Sequence, residues 1–84
     1  MRVNGLFPPE VTRGQPRVVI TGREDVLLEG HRGLFSYETG RIRVRTREGL
    51  LTVTGENMTI DYFGAEDLLI RGRVTNVEYS GDGL

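Results

Sequence analysis

The sequence predicts an all-β domain, a small antiparallel β-sandwich or roll of about seven to eight short strands. Three observations carry this reading. Apolar and polar residues alternate from Arg41 to Tyr62, in three runs separated by Glu48-Gly49 and Gly55-Glu56-Asn57. Turn-forming residues recur at intervals of about 8–10 residues along the rest of the chain. No window shows the 3.6-residue apolar period of an amphipathic helix. A short β-solenoid would give a similar spacing. The connections of about two to four residues suit hairpins and so favour antiparallel pairing.

The element Arg41–Arg47 is the clearest strand. Successive strand side chains point to opposite faces, which places Ile42 and Val44 on one side and Arg41, Arg43, Arg45 and Arg47 on the other. Leu51 and Val53 extend the apolar face, followed by Met58, Ile60 and Tyr62. Before this stretch, Met1–Gln15 contains Asn4-Gly5, Pro8-Pro9 and Gly14, which break helix and strand alike, so residues 1–15 read as a flexible arm. Within it, Leu6-Phe7 suits either a cap on the domain or a short docking segment. The domain runs over residues 16–79. Arg17–Thr21 is a β-branched strand, Val26–Glu29 a second and Leu34–Tyr37 a third, with Gly30-His31-Arg32-Gly33 read as a break between the last two. After the turn at Phe63-Gly64-Ala65-Glu66, Asp67–Arg71 and Arg73–Tyr79 form two further strands around Gly72. In the last of these Val74 has the opposite parity to Val77 and Tyr79, and a bulge near Thr75-Asn76 would restore one inward face. Residues 80–84 read as a frayed tail.

Eighty-four residues make one domain with a thin core, which makes a partner surface or self-association a reasonable source of further burial. There is no cysteine, hence no disulfide framework or thiolate metal site. With 11 basic and 12 acidic residues the net charge is -1, so nothing global points to nucleic acid. All the basic residues other than His31 are arginines, a bias that signifies anion binding only where guanidiniums cluster in space. No apolar run is long enough for a transmembrane helix, and the expected location is the cytoplasm.

Candidate chemistry is sparse. His31 is the single histidine and has no nucleophile or metal-ligand companions at a diagnostic spacing, so it reads first as a turn residue with a local hydrogen bond. The acidic residues show no metal-loop spacing, the 12 glycines fall between strands, and no phosphate-binding loop or nucleophile elbow is present. No cofactor, small-molecule substrate or catalytic residue is therefore expected. Tyr37, Tyr62, Phe63 and Tyr79 could imitate a stacking platform for single-stranded nucleic acid, but in so small a domain they read as large members of the core. The arginines at 41, 43, 45 and 47 suit an anion-binding stripe, but the balanced net charge favours a solvated outer face on which carboxylates such as Glu29, Glu38, Asp61 or Glu78 pair with them across strands.

Taken together, several segments resemble the YabP/YqfC family of sporulation proteins of endospore-forming bacteria. They are Pro16-Arg17-Val18, Ile20-x-Gly22, Glu29-Gly30-His31-Arg32-Gly33-Leu34 with Tyr37, Ile42-Arg43-Val44-x-Thr46, Gly49-x-Leu51-x-Val53-x-Gly55-x-Asn57-Met58-x-Ile60, and Leu68-x-Ile70-x-Gly72-x-Val74-x-x-Val77-Glu78-Tyr79. The His-basic-Gly segment followed by an apolar residue and Tyr37 is more similar to the YqfC branch. Gly30 departs from the Asn usual there, and Gly64 is a second departure; both bear on loops. The resemblance implies a non-enzymatic protein made in the mother cell during sporulation. It also implies partnership with a neighbour-encoded integral membrane protein (YqfD-like for this branch) at the membrane around the forespore. The partner-binding residues expected on this reading are His31, Arg32 and Gly33, with Arg41, Arg43 and Arg45, acting as a scaffold or adaptor that docks by an exposed strand edge and that also suits a homo-oligomer. The contrasting function is direct binding of single-stranded nucleic acid through the arginines.

Overall fold

Alternation in the sequence becomes six strands: β1 (Arg17–Thr21), β2 (Asp25–Glu29), β3 (His31–Glu38), β4 (Arg41–Thr46), β5 (Gly49–Phe63) and β6 (Asp67–Ser80). The computed structural model describes residues 15–80. The expected arm over residues 1–14 and the tail beyond Ser80 lie outside the described residues. The strands form one sheet in the order β1-β2-β6-β5-β4-β3, with every pairing antiparallel, which sets aside the parallel rungs of a solenoid.

Six strands replace the expected seven to eight because two glycine breaks do not break the chain. Gly55-Glu56-Asn57 lies inside β5 and Gly72 lies inside β6. At both places the sheet bends and loses register, and two hairpin turns supply the missing partners. The Gly55 and Met58 N–H groups donate to the carbonyls of Gly40 (3.1 Å) and Thr39 (3.0 Å) in the β3–β4 turn. The Gly72 and Val74 N–H groups donate to Glu24 (3.1 Å) and Arg23 (2.7 Å) in the β1–β2 turn. Backbone groups met in this way have no reason to end a strand. Asn57 takes φ 52° at the β5 bulge, a conformation that Asn tolerates better than most residues. The expected bulge in the last run is present: Thr54 pairs with Asn76 and Gly55 with Val74, which leaves Thr75 as the extra residue.

The bends let β5 and β6 serve two half-sheets. Residues 49–54 of β5 lie between β4 and the end of β6, whereas residues 67–71 of β6 lie between β2 and the end of β5. Val26, Leu28, Leu68 and Ile70 from one half join Ile42, Val44, Leu51 and Val53 from the other in one buried cluster, with Met58 and Val74 at the bend. No other layer exists among the described residues, so the rolled sheet covers itself. This self-covering is why alternation along each strand is enough to build the core.

The chain crosses between half-sheets at Gly30, where φ is +89°. The expected break at Gly30-His31-Arg32-Gly33 is therefore one residue long, and His31, Arg32 and Gly33 already belong to β3. The aromatic residues differ from expectation too. Tyr37, Tyr62, Phe63 and Tyr79 are about half exposed and sit around the core, which aliphatic side chains fill without them. The Tyr79 hydroxyl is pushed above the ordinary tyrosine range by desolvation first and by the Glu48 carboxylate second, so it stays neutral at neutral pH.

Candidate functional site

The β3–β4 hairpin builds the most distinctive surface of the described residues. Strand alternation sends Ile42 and Val44 into the core and turns Arg41, Arg43 and Arg45 outward. On β3 the register slips between Leu34 and Ser36. Alternation packs Leu34 against the core and turns Phe35 outward, 41% exposed, and the slip keeps Ser36 on the same arginine side, opposite Arg43. The Arg43 guanidinium lies 5.0 Å from the Phe35 ring centroid and that of Arg45 lies 4.9 Å from it. The Arg43 Nε–H also donates to Ser36 Oγ at 3.0 Å.

Each exposed cation–π contact is worth about 0.5–1 kcal/mol, little for stability but enough to bias the orientation of a long side chain. The terminal N–H groups of Arg43 and the guanidinium of Arg45 make no hydrogen bond among the described residues. Two of the four carboxylates expected to neutralise this stripe are elsewhere. Glu29 pairs with Arg17 at 2.9 Å, and Asp61 pairs with Arg71 at 3.6 Å. Glu38 sits opposite Arg41 in the ladder, yet Arg41, Arg43 and Arg45 make no ion pair within 4.0 Å among the described residues. The result is a set of pre-oriented forked donors at strand spacing, about 6.6–6.8 Å apart, suited to carboxylate or phosphate oxygens.

His31 has a different place. It is only 7% exposed. Its Nδ1 accepts the Gly33 N–H at 3.0 Å, which assigns the proton to Nε2, and Nε2–H donates to the Gly64 carbonyl at 2.8 Å. The ring stacks on Phe63 with centroids 5.0 Å apart and planes 20° apart. The Gly30 and His31 N–H groups both donate to the Glu66 carbonyl, at 2.7 and 3.1 Å. His31 thus pins the start of β3 to the β5–β6 turn, and Gly33 takes φ +119°, a conformation that favours glycine. Gly30 and Gly64 both contribute to this one junction. Arg32 remains exposed beside it, across from Arg45 in the register gap. Replacing His31 with alanine leaves the Gly33 N–H and the Gly64 carbonyl unmet and is expected to cost about 1–3 kcal/mol. Urea denaturation measures this, and an unchanged midpoint would contradict the pin.

Sequence reasoning missed Phe35 and Ser36. The signal was the adjacent pair Leu34-Phe35, since alternation turns one of two neighbouring apolar residues outward. Among the described residues no three His, Asp or Glu side chains converge as a metal site, and no helix is long and apolar enough to cross a membrane.

Residues 12–83 match the model of the YabP family. The chain belongs to that family. It is also 31% identical over 73 residues to YqfC of Bacillus subtilis, across 87% of this chain and 78% of that protein. The match covers all six strands, so the family pattern and the rolled sheet coincide. The family is associated with sporulation, as the resemblance implied.

Proposed function

We propose that this member of the YabP family is a non-enzymatic adaptor in spore formation. It docks, from the mother-cell side, on an integral membrane protein at the membrane surrounding the forespore. The docking face is Arg41, Arg43 and Arg45 with Phe35, and Arg32 extends it along β3. The recognised feature is an acidic segment of the membrane protein. One observation supports this reading above the others: three outward arginines lack carboxylate partners among the described residues, and two of them are stacked on an exposed phenylalanine. Arginine and aromatic residues held in position before binding are the usual carriers of interface energy, because little side-chain freedom is left to lose. His31 and Gly33 take part by holding β3 in place, since the histidine ring is turned inward.

The test is the location of a fluorescent fusion in sporulating cells. The wild-type chain is expected to outline the forespore membrane, and the pair Arg43→Glu with Arg45→Glu is expected to leave the signal diffuse. Each lost arginine contact of this kind is worth about 2 kcal/mol or more, and reversal adds repulsion. Unchanged localisation of the double variant would reject this face as the docking surface. Salt-sensitive binding of the purified chain to single-stranded oligonucleotides, lost in the same variant, would instead favour nucleic acid.

A further inference from the structure

We infer that the β1 edge is a self-association surface, at which two copies of this chain pair antiparallel about Val19. The inference is independent of the arginine face.

Within the sheet β1 is one terminal strand and β3 is the other. Only one of them carries the features that discourage strand addition. β3 slips register twice, contains Gly33 at φ +119°, and displays Arg32. β1 runs through five consecutive pairs with β2 without a slip, from Arg17↔Glu29 to Thr21↔Asp25. It has no internal proline, glycine or charge; its one charged residue, Arg17, stands at the end and is paired with Glu29 at 2.9 Å. A regular β-branched edge without such guards is a template for another strand. No strand pairs with its outer side among the described residues.

The side chains say which strand fits. Val18 and Ile20 lie on the core face, opposite Leu28 and Val26. Val18 packs against the core, but Ile20 is 51% exposed although it belongs to the apolar row that includes Val26 and Ile70. An antiparallel second copy centred on Val19 sets Val18 of each copy against Ile20 of the other, which covers both isoleucines and joins the two cores. Val19 meets Val19 on the two-fold axis, and Arg17 faces Thr21. The sequence Arg-Val-Val-Ile-Thr is thus apolar against apolar and polar against polar when read against its own reverse. The two Arg17 residues are then separated by the length of the ladder, about 13 Å, whereas a parallel arrangement would set them side by side. Each Arg17 also approaches the end of the other copy's ladder, where Asp25 lies opposite Thr21. Five pairs make a small interface, so the dimer is weak and concentration-dependent.

Sedimentation velocity of the full chain over a concentration series tests this. The wild-type protein is expected to move from monomer to dimer as concentration rises. Val19→Lys and Val19→Glu, each placing like charges on the axis, are expected to stay monomeric across the same series. An equimolar mixture of the two is expected to dimerise again. Circular dichroism checks that both variants fold. Should either fail to fold, hydrogen exchange on the wild type serves instead, with amide protection in Arg17–Thr21 rising with concentration. A wild type that is monomeric throughout overturns the inference, as does a dimer that survives both substitutions. Concentration-independent exchange across β1 would also overturn it.

Discussion

Replacing Gly55 with alanine is expected to remove more than half of the protein's stability. A Cβ at this position would lie 2.1 Å from the Arg73 carbonyl oxygen, and 3.0 Å from both the Arg73 carbonyl carbon and Met58 Sδ. The sulfur can swing away, but the carbonyl belongs to the paired backbone of β6. Nor can Gly55 retreat to the other side, because its N–H is bonded to Gly40. Relief therefore requires β5 and β6 to part at the bend that joins the two half-sheets. Overpacking against side chains costs about 1–3 kcal/mol; a rigid backbone atom sets the cost at the top of that range or above it. A small domain has about 5 kcal/mol to lose. At about 4–8 °C per kcal/mol, a 3 kcal/mol loss lowers the melting temperature by about 12–24 °C. Thermal melting followed by circular dichroism measures this, and a melt within a few degrees of wild type would contradict the crowding. Gly72, at φ +148° and with a virtual Cβ 2.6 Å from Met58 Cα, faces the same bend from β6.

Met58→Ala should cost about 2–5 kcal/mol in urea denaturation. Met58 is fully buried, and its N–H is tied to the Thr39 carbonyl. The backbone there cannot move in to fill the space left by the side chain. Met58→Leu keeps the volume and should cost less than about 1.5 kcal/mol. If alanine and leucine had equal effects, the bend would be held by backbone bonding rather than by packing.

The sequence made parts of this fold legible because the sheet is its own second layer. When one rule, alternation, decides burial on every strand, Ile42, Val44, Leu51, Val53 and Met58 can all be read inward, and all are buried. The parity conflict at Val74 likewise located the Thr75 bulge. The strand count failed at Gly55 and Gly72 because a glycine signals local freedom, not whether a distant hairpin will supply hydrogen bonds to carry the strand through. His31 looked like a turn residue because only Gly30 was needed for the corner, and nothing local shows that Gly64 will come within 2.8 Å. The aromatics were placed inward by size, yet Tyr37 reaches across instead, its hydroxyl accepting the Ile60 N–H at 3.1 Å.

The arginine stripe was visible as a pattern, but its state was not. Pairing of Arg41, Arg43 and Arg45 with cross-strand carboxylates depends on strand order, and in the order observed Glu29 and Asp61 belong to the opposite half-sheet. The Ser36 contact with Arg43 depends on a bulge one residue long. Family membership ties the chain to sporulation, and the adaptor reading adds a surface and a partner chemistry.

The most direct test of that reading is a pull-down of the tagged chain from detergent-solubilised sporulating cells, run in parallel with the Arg43→Glu, Arg45→Glu variant and followed by mass spectrometry. The wild-type chain is expected to enrich an integral membrane protein that the double variant does not. Equal recovery of that protein by both baits would contradict the account. Recovery of the wild-type bait alone, under conditions that preserve another membrane complex, would also contradict it.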